Sequence, residues 1–145
     1  MAHLVAILED DPRRAAEMRR CVETLGGWAE CAFRATAPEM IEFLEEHASE
    51  TALVSLDHDL GPNREIGDEV IDPGTGRDVA DWLTNHGPAG PVIVHSSNGF
   101  AARGMVLVLE DAGYRTERIV PWGDLDWVEA SWFPTVIEML PDDRE

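Results

Sequence analysis

Three short clusters of polar side chains follow apolar runs in this sequence, and their residue types could do chemistry on a phosphate. Residues 9–11 read Glu-Asp-Asp, residues 57–59 read Asp-His-Asp, and residues 95–98 read His-Ser-Ser-Asn. Carboxylates pushed together beside an apolar strand repel each other and are costly to keep charged. A bound cation would remove that cost, so the two acidic clusters predict a metal site.

Carboxylates from two strand ends form the oxygen-rich environment that Mg²⁺ or Mn²⁺ selects, with water and phosphate filling the remaining positions. We favour Asp10 and Asp57 as metal ligands, with Asp59 and Glu9 as further candidates. Two of these clusters also have a simpler interpretation, because acids after a strand can cap the next helix or brace a loop. For Asp11 we prefer the helix-capping interpretation, and for Asp59 both interpretations stay open.

Two histidines lie in these clusters and could move protons. Imidazole exchanges protons near neutral pH, so His58 and His95 are candidate catalytic residues together with Asp57. The alternative is that each histidine is a packed, hydrogen-bonded residue. If the strand continued, side-chain alternation would place His58 on the opposite face from Asp57 and Asp59. No such objection applies to His95.

Phosphate oxygens could be bound by groups from two turns. Ser96 and Asn98 carry suitable hydrogen-bonding groups, although both residue types are also common in turns. Thr75 and Arg77 lie in a Gly-rich turn before a helix and could present a hydroxyl, backbone N–H groups and a guanidinium to an anion. This turn lacks the lysine and the spacing of a P-loop, and a simple helix cap is the alternative.

Hydrophobic periodicity predicts five strands alternating with five helices. The strands are predicted at residues 3–8, 29–33, 52–56, 91–94 and 118–120. The helices are predicted from Pro12 as first helical residue, after Thr36 in a Thr36–Glu39 capping box, and at residues 78–83, 104–112 and 126–140, the last interrupted by Pro134. This alternation is typical of an α/β protein with a doubly wound parallel sheet covered on both faces.

The three clusters are expected to meet, because ligands in such sheets bind beyond the carboxyl ends of the strands. Between the third strand and its helix lie residues 61–76, with four glycines and two prolines. Such connections usually take roughly 2 to 6 residues, so this long insertion is expected to have a function.

Composition limits the class of partner. The 145 residues, 44% of them hydrophobic, predict a single domain spanning residues 1–145. With 11 basic and 29 acidic residues, the net charge is −18, which argues against binding to duplex DNA, although an RNA end held through a metal stays open. No stretch approaches the roughly 20 apolar residues of a membrane span. We therefore expect a cytoplasmic protein without membrane contact, with Cys21 and Cys31 as reduced thiols.

The clusters resemble those of the receiver domain of two-component response regulators, the CheY-like fold. The motif VAILEDDPRR places Glu9 and Asp10 at the acidic pair, VSLDHDLG places Asp57 at the phospho-acceptor position, and PVIVHSS places Ser96 at the switch hydroxyl. The resemblance implies a receiver or flavodoxin-like sheet and, in its ordinary form, signalling through phosphorylation of the acceptor aspartate.

Two departures from ordinary receivers stand out. Val120 precedes Pro121 where receivers carry a lysine, so the ammonium that would pair with a phosphoryl group is missing, and the insertion at residues 61–76 is foreign to them. Both are similar to features of the cyclic-phosphate processing receivers, which share LDHDL, a TG-x-D helix start and HS-x-N. That resemblance implies a metal-dependent phosphoesterase that opens cyclic phosphate ends of nucleotides or RNA.

In that implied mechanism, a metal held by Asp10, Asp57 and Asp59 activates water, and His95 or His58 protonates the leaving alkoxide. Ser96, Asn98 and the turn at residues 75–77 would orient the phosphate.

Three hypotheses follow from the sequence. The leading one is a metal-dependent cyclic phosphodiesterase acting on a phosphate-containing small molecule or RNA end. The others are a phospho-accepting receiver that signals through Asp57, and a pseudo-receiver that only binds a ligand or protein. An enzyme turns over its ligand, a receiver is modified once, and a binding module does neither. The sequence indicates no particular protein partner.

Overall fold

A five-stranded parallel sheet with helices on both faces forms the molecule, as the sequence predicts. The computed structural model describes residues 2–87 and 90–143. Its strands are β1 (His3–Leu8), β2 (Ala29–Arg34), β3 (Thr51–Leu56), β4 (Arg64–Ile66), β5 (Glu69–Ile71), β6 (Val92–His95) and β7 (Thr116–Ile119). Its helices are α1 (Pro12–Glu23), α2 (Ala37–His47), α3 (Gly76–His86), α4 (Gly99–Asp111) and α5 (Phe133–Met139).

The main sheet has the strand order β2-β1-β3-β6-β7, with every neighbouring pair parallel. The chain leaves β1 toward β2 on one side and then crosses to β3 on the other. The order therefore reverses between β1 and β3, and a crevice forms beyond their carboxyl ends.

Strict alternation divides the strand residues between two cores. One face packs against α2, α3 and α4, and its strand residues are Ala6, Leu8, Val54, Leu56, Val92 and Val94. The other face packs against α1 and α5, and its strand residues are Val5, Ile7, Leu53 and Ile93. Because both faces are covered, all of these residues are fully buried, as expected for strands of a parallel sheet.

Side-chain caps start the helices that leave the site edge. Asp11 accepts hydrogen bonds from the backbone N–H groups of Arg13 and Arg14, which confirms its predicted role as the cap of α1. Thr36 caps α2 and contacts Glu39, as the capping-box motif predicts. These caps fix where each chain segment turns away from the sheet.

The bounds of α4 and β7 differ from the predicted ones. Helix α4 begins at Gly99, five residues before the predicted residue 104, because Asn98 caps it by accepting a hydrogen bond from the N–H of Ala101. Strand β7 ends at Ile119 and starts two residues before the predicted residue 118, because its register with β6 pairs Thr116 with Val92. The cap at Asn98 is a local signal that the sequence analysis did not use, whereas the register of β7 depends on a distant strand that no local pattern contains.

The C-terminal helical segment differs from its prediction in detail. A π-helical turn at Val128–Trp132 precedes α5, and Pro134 lies in the first turn of α5, where its missing N–H costs nothing. Trp127 and Trp132 are fully buried on the α1 and α5 face of the sheet. Among residues 2–87 and 90–143, no helix combines the length and the apolar composition that crossing a bilayer requires.

The insertion at residues 61–76 contains an antiparallel hairpin, formed by β4 and β5, and then returns to the sheet edge. At the return, the N–H of Gly76 donates to the carbonyl of His58 at 3.0 Å. A Cβ on Gly76 would lie 1.9 Å from the carbonyl oxygen of Asp57, so only glycine fits there. The start of α3 is thereby held against the end of β3.

The close approach at Gly76 predicts that Gly76→Ala destabilises the protein by roughly 1 to 3 kcal/mol, because either β3 or α3 must move. Urea unfolding followed by circular dichroism measures the loss. Gly27→Ala is the matched control, since a Cβ there meets nothing within 4 Å, and it should change stability by less than about 0.5 kcal/mol. Equal stability of both variants would contradict the packing described here.

Candidate functional site

Three buried ionisable side chains lie together at the carboxyl edge of the sheet. Glu9, Asp57 and His95 each offer a ligand atom, and these atoms lie within 4.8 Å of one another. They come two residues after strand residues that pair across β1, β3 and β6, namely Ile7, Ser55 and Ile93. Because side chains alternate along a strand, the next residues of that face are these three.

Backbone hydrogen bonds continue the sheet one residue beyond the strands and hold the two acids. The N–H of Glu9 donates to the carbonyl of Arg34 at 3.0 Å, and the N–H of Asp57 donates to the carbonyl of Leu8 at 3.1 Å. The carboxylates are therefore fixed by the sheet itself and not by a mobile loop.

A chain of hydrogen bonds positions His95, which is fully buried. The Trp132 indole N–H donates to Ser55 Oγ at 2.9 Å, and Ser55 Oγ lies 2.7 Å from His95 Nδ1. Since an indole can only donate, the serine oxygen accepts from it and its hydroxyl hydrogen is free to point at Nδ1. On the other side of the ring, His95 Nε2 lies 3.2 Å from Glu9 Oε1 and donates to it, because an ionised carboxylate can only accept.

The two buried acids differ in their tendency to ionise. Burial raises the pKa of Asp57 to about 6, and the nearby Glu9 carboxylate acts in the same direction. Burial also acts to raise the pKa of Glu9, but the hydrogen bond from His95 and that from the Asp11 N–H help to outweigh it, so the Glu9 pKa is lowered. Glu9 is therefore a carboxylate at neutral pH, while Asp57 holds its proton more readily than an exposed aspartate.

Arg14 supplies a positive charge that the sequence analysis missed. Its guanidinium Nη1 lies 3.8 Å from Glu9 Oε1 and 3.8 Å from Asp57 Oδ2, and the group lies over the ring of Trp127 at 5.4 Å. All eleven basic residues of the chain are arginines, so no lysine could serve here. The available signal was the place of Arg14 in the first turn of the helix after β1, which starts at the site edge.

The other two predicted acidic ligands lie outside the cluster of Glu9, Asp57 and His95. Asp10 is partly buried beside the insertion, where a Cβ on Gly61 would lie 2.7 Å from its Oδ2. The side chain of Asp59 is 66% exposed, and its Oδ1 accepts a hydrogen bond from His58 Nδ1 at 2.8 Å. Metal binding by Asp10 and by Asp59 stays a prediction.

His58 lies beside Asp57 and is more accessible than His95. Its backbone N–H donates to Asp57 Oδ1 at 2.7 Å, and its side chain is 18% exposed. The strand β3 ends at Leu56, so the alternation that argued against His58 does not extend to it. The His58 ring is oriented by its contact with Asp59.

The predicted phosphate-binding residues have structural partners within the chain. Ser96 is buried, and its Oγ accepts from the N–H of Asn98 at 3.1 Å, while Asn98 caps α4. Thr75 caps α3. Arg77 forms an ion pair with Asp81 at 2.8 Å. Phosphate binding by these four residues stays a prediction.

The donor set fits a divalent cation. Two carboxylates from neighbouring strand ends provide the hard oxygen ligands that Mg²⁺ and Mn²⁺ prefer. The pKa of Asp57 is raised chiefly by burial, and the nearby Glu9 carboxylate adds to the effect, so a further positive charge there would be favourable. Glu9 and Asp57 are therefore the residues most suited to hold such an ion.

Comparison with solved structures finds receiver domains. The phosphorylated cyanobacterial phytochrome response regulator RcpA has a TM-score of 0.73 and 15% identity, over 97% of this chain and 94% of that chain. A response regulator receiver domain from Rhodospirillum rubrum has a TM-score of 0.68 and 14% identity, over 98% and 99% of the two chains. The Mn²⁺-bound form of response regulator Rcp1 has a TM-score of 0.65 and 15% identity, over 96% and 97%.

At these identities the likeness shows the receiver fold, and it agrees with the strand order described above. A comparison with curated proteins gives no match. A family model described as the cyclic-phosphate processing receiver domain matches residues 5–111, well over half of the 145 residues. The resemblance noted in the sequence is thereby confirmed, and the chain belongs to the family of cyclic-phosphate processing receiver domains.

Proposed function

We propose that the protein holds Mg²⁺ or Mn²⁺ between Glu9 and Asp57 and opens a cyclic phosphate at the end of a nucleotide or an RNA. The observation that carries this proposal is the buried pair of carboxylates at the switch point of the sheet, with Arg14 at 3.8 Å from both. The description of the family supports the choice of a cyclic phosphate. The net charge of −18 supports a small ligand over a long polyanion.

Glu9 and Asp57 would be the ligands of the ion, and the lowered pKa of Glu9 keeps its carboxylate ionised at neutral pH. When bound, the ion supplies Lewis acidity to the phosphodiester and makes a nearby water more acidic. His95 donates a hydrogen bond to Glu9 and so keeps that carboxylate ionised and oriented. This interaction makes His95 a positioning residue for the metal ligand.

His58 is our proposed proton donor to the leaving alkoxide. It is the more accessible of the two site histidines, and because Asp59 contacts its Nδ1, its Nε2 would be the atom that exchanges a proton with a ligand. Ser96 and Asn98 follow the carboxyl end of β6, and the turn at residues 75–77 lies at the start of α3. From these two places they would orient the phosphate.

Phosphorylation of Asp57 is a second candidate function. The position of Asp57 directly after β3, beside the Arg14 guanidinium, would also suit a carboxylate that accepts a phosphoryl group. Incubation with acetyl phosphate and Mg²⁺, followed by intact-protein mass spectrometry, would detect a single added phosphoryl group that Asp57→Asn cannot carry.

The enzymatic proposal predicts that the purified protein, with Mg²⁺ or Mn²⁺, opens the ring of a 2′,3′-cyclic nucleotide. Chromatography of the nucleotide products measures the rate. Asp57→Asn should lower the rate on the order of 10²-fold or more, because one anionic ligand of the ion is lost. Asp111→Asn is the matched control, since this exposed aspartate lies at the end of α4. No ring opening by the wild type with either ion would contradict the proposal.

Histidine variants separate the two proton roles. His58→Asn should lower the rate of ring opening by roughly 10² or more while leaving the affinity for Mg²⁺ unchanged, because it removes only the proton donor. His95→Asn should weaken Mg²⁺ binding, because it removes the donor to Glu9. Isothermal titration calorimetry with Mg²⁺, alongside the rate assay, distinguishes these outcomes. The reverse pattern would assign proton transfer to His95.

The raised pKa of Asp57 predicts a pH-dependent effect on stability in the presence of EDTA. The folded protein binds the Asp57 proton more tightly than the unfolded chain does, with a pKa of about 6 against the ordinary aspartate value of 3.8. The contribution of this bound proton to the free energy of unfolding is fully present below about pH 4, and it is lost as the pH rises through about 6. Asp57→Asn should therefore stabilise the metal-free protein by about 2 kcal/mol at pH 7.5 and by little at pH 4.

Urea unfolding at the two pH values measures this difference, with Asp111→Asn as the variant that should show none. An Asp57→Asn protein that is less stable than the wild type at pH 7.5 would show that the carboxylate is compensated in the free protein.

A further inference from the structure

The missing lysine of ordinary receivers leaves open which group of this chain binds the phosphate anion. All eleven basic residues are arginines, and Val120 occupies the position of the receiver lysine. Among the arginines whose side chains the structure describes, Arg14 is the one that comes within 4 Å of Glu9 or Asp57. We propose that Arg14 is the phosphate-binding residue of the site, an inference that rests on the function proposed above.

The guanidinium of Arg14 has donors to offer. At 3.8 Å its contacts with the two carboxylates are ion pairs and lie beyond hydrogen-bond length. Among residues 2–87 and 90–143, no acceptor takes a hydrogen bond from its side chain, which carries five N–H groups. The Arg14 side chain is 24% exposed, whereas those of Glu9 and Asp57 are 0% and 8% exposed. Arg14 is therefore the member of this group that a ligand from solvent can reach.

The same guanidinium is held in place. It lies over the ring of Trp127, which is fully buried and also stacks on His95 with ring centroids 6.0 Å apart. Its backbone N–H is bonded to the Asp11 cap at the first turn of α1. The indole N–H of Trp127 has no acceptor in the part of the chain that the structure describes. A preorganised cation loses little entropy when it binds a ligand.

The charges of the site fit a phosphate only when Arg14 is counted. The two carboxylates and a divalent cation cancel, and Arg14 then leaves one net positive charge for a phosphodiester anion. In a chain of net charge −18, that local charge is needed to hold any anion. The planar guanidinium can contact two phosphate oxygens at once, which an ammonium group cannot do in the same way.

The neighbouring Arg13 provides a matched control. Its side chain is 63% exposed and forms an ion pair with Asp124, away from the buried acids. Arg13→Gln and Arg14→Gln remove the same charge from adjacent positions of one helix. Long-range electrostatic effects on ligand binding should therefore be similar in the two variants, and a specific contact should be lost in only one.

The experiment measures two affinities of the full chain by isothermal titration calorimetry: that for Mg²⁺ alone, and that for inorganic phosphate with Mg²⁺ or with EDTA. Arg14→Gln should weaken Mg²⁺-dependent phosphate binding roughly tenfold or more, and Arg14→Lys should weaken it less. The Mg²⁺ affinity of Arg14→Gln should stay equal or increase, because a positive charge beside the metal ligands is removed. Arg13→Gln should change neither affinity.

Two results would overturn the inference: phosphate affinity that is unchanged in Arg14→Gln, or Mg²⁺ affinity that falls in parallel with it, which would mean that Arg14 only holds the acids in place. A wild-type protein that binds no phosphate under any of these conditions would overturn it as well. Phosphate binding that depends on Arg14, in a protein that opens no cyclic nucleotide, would keep the inference and refute the proposed enzymatic function.

Discussion

The burial of two carboxylates side by side is the constraint around which this molecule is built. Glu9 and Asp57 lie at the carboxyl ends of adjacent strands, and neither is accessible enough for water to screen its charge. The protein compensates this cost with groups from three directions: His95 from the next strand, Arg14 from the helix that follows β1, and backbone N–H groups of the local turns. The compensation is incomplete at Asp57, as its raised pKa indicates. A further positive charge beside Asp57 would therefore stabilise its ionised form.

The surrounding elements follow from that arrangement. Helix α1 must start at the end of β1 to bring Arg14 over the acids, and the Asp11 cap sets that start. The insertion must leave β3 directly after the acidic cluster and return to the same edge, which the close approach of Gly76 to Asp57 allows. The insertion that carries the β4–β5 hairpin is thus tied to the sheet edge where it returns at Gly76. Rigid support of this kind suits a site that orients a small anion.

The fold is that of a receiver, but the charges at its site are distributed differently. Ordinary receivers, to which the sequence is similar, carry a lysine after the last strand, and this chain has Val120 there. The positive charge comes instead from Arg14 on α1, and a histidine at the end of β6 joins the two buried acids. His95 and Arg14 both contact Glu9, so the first acid of the pair is the more strongly held. This redistribution supports the proposal that the site binds a metal and a phosphate together.

The sequence by itself determined the alternation of strands and helices, the caps at Asp11 and Thr36, and the placement of three polar clusters at one sheet edge. These features follow from local periodicity and capping chemistry, which act within a few residues. Only the tertiary structure decided that Glu9 and not Asp10 joins Asp57 in the buried cluster, that Arg14 supplies the cation, and that Trp132 and Ser55 orient His95. Each of these depends on the register between strands distant in sequence or on how a helix packs across the sheet, and no local pattern contains that information.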